Sequence, residues 1–476
     1  MLFTTTVFLL VFFPLTLLIY FVIPKGARNY WLLLMSLLFY GWGEPFFVLI
    51  MIGSVIWNYS FAFLIDMRRK KNYNSKFLLI IGMAGNLSVL FIYKYLNFAI
   101  ENINYLFSAS IIQTQIILPI GISFFSFQAM SYVIDVYRGD VKVQKNPLFV
   151  ALYISFFPQL IAGPIVRYST IEDQIQTRVI TGEDVSEGVK RFMLGFFKKV
   201  LLANNMAIIA DKAFLLIDTQ SEISISFAWL GIISYTLQIF YDFSGYSEMA
   251  IGIGRIFGFH FLENFDYPYI AKSITEFWRR WHMSLGTWFR DYVYFPLGGS
   301  RVGSKAILMR NLFVVWFLTG VWHGASWNFV IWGLLYFVLI ALEKLLNIPN
   351  RFHKQTARIG YQVFTLLAVM FGWVLFRAPT LDQATIYLSH LLGRANNSFL
   401  DGNTLFYLRE YGWFLLAALV FCAPVAGVVM RASQSLRGWS HYLYDAMKIA
   451  VYIGLFMFAL SYLVMDAYNP FIYFNF

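Results

Sequence analysis

The chain has 476 residues, of which 59% are hydrophobic and only 13% charged, and its mean hydropathy is +0.64. A water-soluble domain cannot bury that much apolar surface. The composition therefore excludes a soluble enzyme and gives an all-α polytopic membrane protein; closed barrels are set aside because the apolar runs are long and continuous, not short and alternating.

In chain order, apolar segments fall near 3–23, 30–43, 46–65, 77–98, 116–136, 146–163, 191–216, 226–259, 307–321, 324–346, 357–376, 411–430 and 447–465. The first lacks a basic leader and a small-residue cleavage site, so it reads as a retained helix and not a signal peptide. The run 226–259 is long enough for two crossings or one long tilted helix. Several others are too short to span alone and read as re-entrant pieces. The length rule gives about 11–13 helices, in a single domain over 1–476 with a catalytic core near 116–376.

Loop charge sets an expected orientation. The stretch 66–76 (DMRRKKNYNSK) is strongly basic and is expected in the cytoplasm, as are 137–145, 301–310 and 351–358. The N-terminus is then outside, and the bend at 321–328 faces outward. The net charge of +11 is scattered over such loops without a single basic face, which argues for anionic lipid headgroups and against nucleic acid.

Two polar stretches interrupt the apolar pattern. In the first, Ser169-x-x-Glu172 reads as a capping box. Beyond it, Val185, Val189, Phe192, Met193, Phe196, Phe197 and Val200 share a helical face opposite Glu187, Lys190, Arg191, Lys198 and Lys199, as in a helix lying at or entering the interface. The second stretch, 378–410, reads as a mixed loop. The single cysteine, Cys422, lies inside an apolar run and reads as structural.

Histidine is scarce: His260, His282, His323, His353, His390 and His441 are the full set. The last three sit in loops or at segment ends and read as surface residues, and His260 reads as closing a helix. His323 follows FVVWFLTGVW and precedes Gly324, Ala325 and Ser326. Burial there disfavours imidazolium, so the ring is either a general base able to accept an alcohol proton or a hydrogen-bonded core residue. His282 stands behind Arg279 and Arg280 and has a plain interfacial alternative. Metal chemistry is not indicated, because no two histidines have the i+3 or i+4 spacing of a metal site. No G-x-S-x-G elbow, P-loop or dinucleotide fingerprint is present. Asp242 and Glu248, inside the run 226–259, are expected to be buried and protonated or paired, with arginines from 279–290 as candidate partners.

Two stretches carry most of the information: FWRRWHMSLGTWFRDYVYFPLGG (277–299) and VWHGASW (321–327). Read with LPIGISFFSFQAMSYVIDVYRGD (118–140), FFPQLIAGPIVRY (156–168), YDFSGYSEMAIGIGR (241–255), ENFDYPYIAKSITEF (263–277) and the closing NPFIYFNF (469–476), the chain resembles the membrane-bound O-acyltransferases, more narrowly their bacterial alginate O-acetyltransferase branch. The resemblance implies a ring of tilted transmembrane and re-entrant helices. A cytoplasmic tunnel would admit an acyl thioester, and an outer funnel would admit the acceptor. It makes His323 the catalytic histidine and His282 the second site residue, either orienting the thioester or donating a hydrogen bond to the developing oxyanion.

Arg279, Arg280, Trp278, Asp242, Asn264 and Arg290 become candidates for holding the substrate or donor. No bound cofactor is implied; the donor would be acetyl-coenzyme A or an acyl carrier thioester. The acceptor would be an extracytoplasmic polysaccharide, reached through a separate partner of the SGNH-hydrolase type at the bacterial cytoplasmic membrane. D-alanyl transfer to teichoic acid on the same fold, or a transporter of lipid-linked or acyl substrates, are the alternatives. The latter would show matching Gly-interrupted halves, which the sequence lacks.

Overall fold

The structure is a computed structural model and describes every residue except 44, 220, 434–438, 466–467 and 473–476. The described residues are helical with irregular connections and contain no strand. Among the described residues, eight helices are long and apolar enough to cross a bilayer: Pro45–Lys70, Lys76–Phe107, Gly182–Asp218, Lys305–His323, Trp327–Leu346, Gln355–Arg377, Gly402–Phe421 and Trp439–Val464. The protein is therefore a multi-pass membrane protein. The run 226–259 forms one continuous helix, Ile225–Ile256, of 32 residues. At 1.5 Å per residue it is about 48 Å long, more than the ~30 Å hydrocarbon core requires.

Segment 146–163 does not span. It divides at Phe156 into Pro147–Ser155 and Phe157–Leu160, because Pro158 has no N–H to give and its ring clashes with the carbonyl four residues back.

The chain forms two compact units, Met1–Phe192 with Ser247–Leu262, and Met193–Tyr246 with Glu263–Phe476. In the first, Phe8, Phe12, Phe39 and Phe157 interlock with ring centroids 5.4–6.4 Å apart. Asn58 and Asn86 exchange amide hydrogen bonds of 2.9 and 2.8 Å, each satisfying a buried polar group of the other helix.

The capping box lies elsewhere than at Ser169-x-x-Glu172. Helix Tyr168–Gln176 starts at Arg167 without a side-chain cap. Instead Thr181 donates through N–H and Oγ1 to Asp184 Oδ2, at 3.1 and 2.7 Å, and Asp184 N–H returns a bond to Thr181 Oγ1. Asp184 also holds Arg255 and His260, at 3.3 and 3.0 Å, so His260 ties loop to helix.

The second unit contains the histidines of interest. Helices Lys305–His323 and Trp327–Leu346 form a tight hairpin. Close approach requires glycine: a Cβ on Gly320 would sit 2.5 Å from the Phe329 carbonyl, and one on Gly333 2.5 Å from the Trp316 carbonyl. Helix Gln355–Arg377 packs on this hairpin.

The expected polar face of the 182–218 helix is overturned at one position. Lys199 is buried (2% exposed) and paired with Asp242. It lies in a π-helical segment, Lys198–Ala203, inside the longer helix. A Cβ on Gly245 would sit 3.1 Å from the Lys199 backbone N, so that glycine lets this turn press against helix Ile225–Ile256, which carries Asp242.

Candidate active site

Helix Ile274–Arg280 begins with Ser273, whose side chain accepts from the Glu276 N–H. A buried carboxylate completes the start. Glu343 accepts from the N–H groups of Ile274 and Thr275, at 2.7 and 2.9 Å, and from the Tyr361 hydroxyl at 2.6 Å. An anion at a helix N-terminus meets both the unsatisfied N–H groups and the positive end of the helix dipole. Glu343 thus fixes the helix that carries Trp278 and Arg279 to the hairpin.

The chain then breaks. His282 adopts left-handed backbone geometry (φ 45°) and caps helix Met283–Phe289. For a non-glycine residue that conformation costs about 1–2 kcal/mol, so it persists only where the surroundings hold it. Asn264 supplies part of that hold. Its Oδ1 accepts from Ser284 N–H at 3.2 Å and from Ser284 Oγ at 2.8 Å, and lies 3.1 Å from His282 Nδ1. A backbone N–H can only donate, so the Asn264 atom facing it is the oxygen. Nδ1 therefore carries the proton, and a neutral His282 presents a lone pair at Nε2. Burial keeps the ring neutral, pushing its pKa down to about 3. Such a ring accepts a hydrogen bond at Nε2. Of the two roles expected for His282, orienting the thioester is compatible with this tautomer and donation to an oxyanion is not.

His323 ends helix Lys305–His323, where Gly324 turns the chain to extended geometry. Its ring is 3% exposed and boxed edge-on by Trp322, Trp332 and Phe376, with centroids at 4.9, 4.9 and 5.2 Å. Trp322 also packs 6.0 Å from the His282 ring.

One cavity of about 260 Å³ reaches both histidines. Its wall includes Trp278, Trp281, Phe289 and Trp316 on the apolar side, and Arg279, Arg290 and Lys344 as cations. None of the described lining residues is acidic. Arg290 is shared with its neighbour Asp291 at 2.7 Å. Lys344 lies within electrostatic reach of Arg279 and contacts the Tyr294 ring, 5.6 Å from its centroid. Two like charges beside one another on an acid-free wall form a ready place for an anion.

Of the residues singled out in the sequence, His323, His282, Trp278, Arg279 and Arg290 thus share one cavity. Asn264 stands behind His282. Arg280 is not on the wall; it is tied to Asp266 at 2.8 Å and Glu276 at 2.9 Å. Asp242 is not there either. Its partner is Lys199 at 2.6 Å, not an arginine of 279–290, because Gly245 lets the Lys199 backbone closely approach the helix that carries Asp242. Glu248 likewise pairs with Arg191 at 2.8 Å. Sequence reading missed Glu343 and Lys344. Their signal was present: two adjacent charges inside the apolar run 324–346, where a charge calls for a reason. Cys422 is buried, 3.6 Å from the Tyr241 hydroxyl and away from the cavity wall. His353 and His441 are exposed and His390 is half-buried.

The profile of the membrane-bound O-acyltransferase family matches residues 142–378, which include the whole cavity wall. A probable alginate O-acetylase of Azotobacter vinelandii is 38% identical over the full length of both chains. One from Pseudomonas syringae pv. tomato is 42% identical over 81% of this chain and 74% of its own. A peptidoglycan O-acetyltransferase of Helicobacter pylori is 33% identical over 100% of this chain and 98% of its own. The chain belongs to the membrane-bound O-acyltransferase family. As a member it is an O-acyltransferase, and the all-helical polytopic architecture expected from composition is the one found.

Proposed function

We propose that this O-acyltransferase is an O-acetyltransferase of the cell envelope. It takes an acetyl group from a cytoplasmic thioester, acetyl-coenzyme A or an acylated carrier protein, and passes it across the bacterial cytoplasmic membrane. The receiver is an extracytoplasmic polysaccharide, directly or through a hydrolase-like partner acetyltransferase. The names of the full-length relatives support the acetyl group and the glycan. The observation that carries the reading is the convergence of two buried imidazoles and a cationic, acid-free wall on one cavity.

In the proposed reaction the donor's phosphate lies against Arg279 and Lys344, which offer charge-assisted hydrogen bonds. The narrow apolar part of the cavity takes the thioester arm. His282 Nε2 accepts from an amide N–H of that arm and orients the thioester. His323 accepts the proton of an attacking hydroxyl, whose oxygen bonds to the thioester carbonyl carbon. Collapse of the tetrahedral intermediate breaks the C–S bond, and the leaving thiolate recovers the proton from the His323 imidazolium. The products are an acetyl ester and a free thiol. No bound cofactor or metal is needed for these steps.

The test is vectorial transfer. Purified protein in sealed proteoliposomes is given labelled acetyl-coenzyme A on one side and a glycan acceptor with an acetyltransferase partner on the other. The expected result is thiol release on the donor side coupled to ester label on the far side. Thiol release without transferred label, or transfer of D-alanyl from a D-alanyl thioester and not of acetyl, contradicts the proposal.

A further inference from the structure

Residues 468–472 lie outside the cavity wall, yet each is held by other residues of the second unit. The Tyr468 hydroxyl donates to Asp211 Oδ2 at 2.7 Å. Asn469 Oδ1 accepts from Asn204 at 3.1 Å. The Pro470 carbonyl accepts from Lys199 Nζ, which also donates to Asn204 Oδ1 at 2.9 Å. The Phe471 ring lies 5.2 Å from that of Tyr246 and beneath the Lys199 ammonium. The Ile472 N–H donates to Asp242 Oδ2 at 2.9 Å, while Asp242 Oδ1 holds Lys199 at 2.6 Å. Apart from the aromatic contacts of Phe471, these holds are polar, and two use the segment's own backbone, which is non-helical over 468–471.

The two ends of this segment lead to different histidines. Asp242 adjoins Phe243, whose ring packs 4.6 Å from His282. Asp211 binds Arg377 at 2.7 Å, and Arg377 adjoins Phe376, whose ring packs 5.2 Å from His323. We propose that residues 468–472 form a positioning strap. The strap fastens the part of helix Ile225–Ile256 that backs His282 to the end of helix Gln355–Arg377 that backs His323, and so fixes the two imidazoles relative to one another. None of its residues lines the cavity. Its effect is on geometry, where a displacement of about 1 Å can cost on the order of 100-fold in rate. The inference rests on the reading that both imidazoles serve one transfer reaction.

Two variants test it. Tyr468→Phe removes only the hydroxyl contact to Asp211. Lys199→Met/Asp242→Leu removes the buried pair together with the strap's two inner anchors, and replacing both partners by apolar groups generally preserves folding where removing one does not. Each is measured per folded molecule in detergent, for kcat, for donor KM, and for the carbethoxylation rate of each histidine by diethyl pyrocarbonate. The account expects kcat down about 3-fold in the first and at least about 10-fold in the second, with donor KM unchanged. It also expects faster carbethoxylation of His282 and His323, while His441, already 54% exposed, stays the same. Wild-type kcat with both imidazoles still protected overturns the strap. So does a loss of activity that only tracks the loss of folded protein. Should the wild-type protein transfer no acetyl group, the proposed function fails, and the carbethoxylation rates still decide the strap.

Discussion

Lys199 with Asp242 and Arg279 with Lys344 are both pairs of charged side chains in a chain built for lipid, and the fold treats them in opposite ways. The first pair is of opposite sign, 1–2% exposed and closed at 2.6 Å, with Lys199 also donating to Asn204 Oδ1 and the Pro470 carbonyl and Asp242 accepting from the Ile472 N–H. The second is of like sign, lies on a cavity wall, and has no acidic residue beside it on that wall. Burial makes the counter-charge of the first pair obligatory, whereas Arg279 and Lys344 are exposed, where water screens their charge until an anion binds. The contrast separates charge whose partner the fold supplies from charge on a wall that holds no acidic partner, a distinction that composition alone cannot make.

Breaking the balanced pair has the largest expected effect. Lys199→Met alone leaves Asp242 buried without its counter-ion and costs about 3–5 kcal/mol of stability, read as lost folded protein in detergent melting curves. Removing the unbalanced pair acts on binding. Arg279→Ala/Lys344→Ala raises donor KM at least about 30-fold, from charge-assisted hydrogen bonds of about 1.5–3 kcal/mol, and leaves the melting temperature unchanged. A destabilised protein with unaltered KM would place these cations in the wrong class. Asn264→Ala frees the His282 tautomer and is expected to lower kcat about 10-fold, while Asn264→Asp, which keeps an acceptor oxygen toward Nδ1, loses less. The smallest effect belongs to Arg280→Ala. Its ion pairs to Asp266 and Glu276 are partly exposed, so less than about 1 kcal/mol is lost and donor KM stays the same.

The helical membrane architecture was legible because long apolar runs admit little else. His323 and His282 were legible because scarce polar groups inside aromatic surroundings stand out, and because their motifs resemble a known family. Partnership was the part that could not be read. Asp242 lies nearer in sequence to Arg279 and Arg280 than to Lys199, and it is the close approach of the Lys199 backbone to Gly245 that sets that lysine beside it. Ser169-x-x-Glu172 carries the local signal of a capping box, but the reciprocal bonds form at Thr181 and Asp184, where Asp184 also takes tertiary contacts to Arg255 and His260 that local spacing does not encode. Glu343 and Lys344 stand out as two charges in the apolar run 324–346, but not by their roles: one fixes helix Ile274–Arg280 and the other lines the cavity.

The account stands most directly on His323 as the group that takes the acceptor's proton. The decisive measurement is the acetyl transfer rate of His323→Ala in proteoliposomes, alongside donor binding by the same protein. The account predicts that transfer falls to background while donor affinity and folded yield match wild type. Transfer at the wild-type rate by that variant would contradict it.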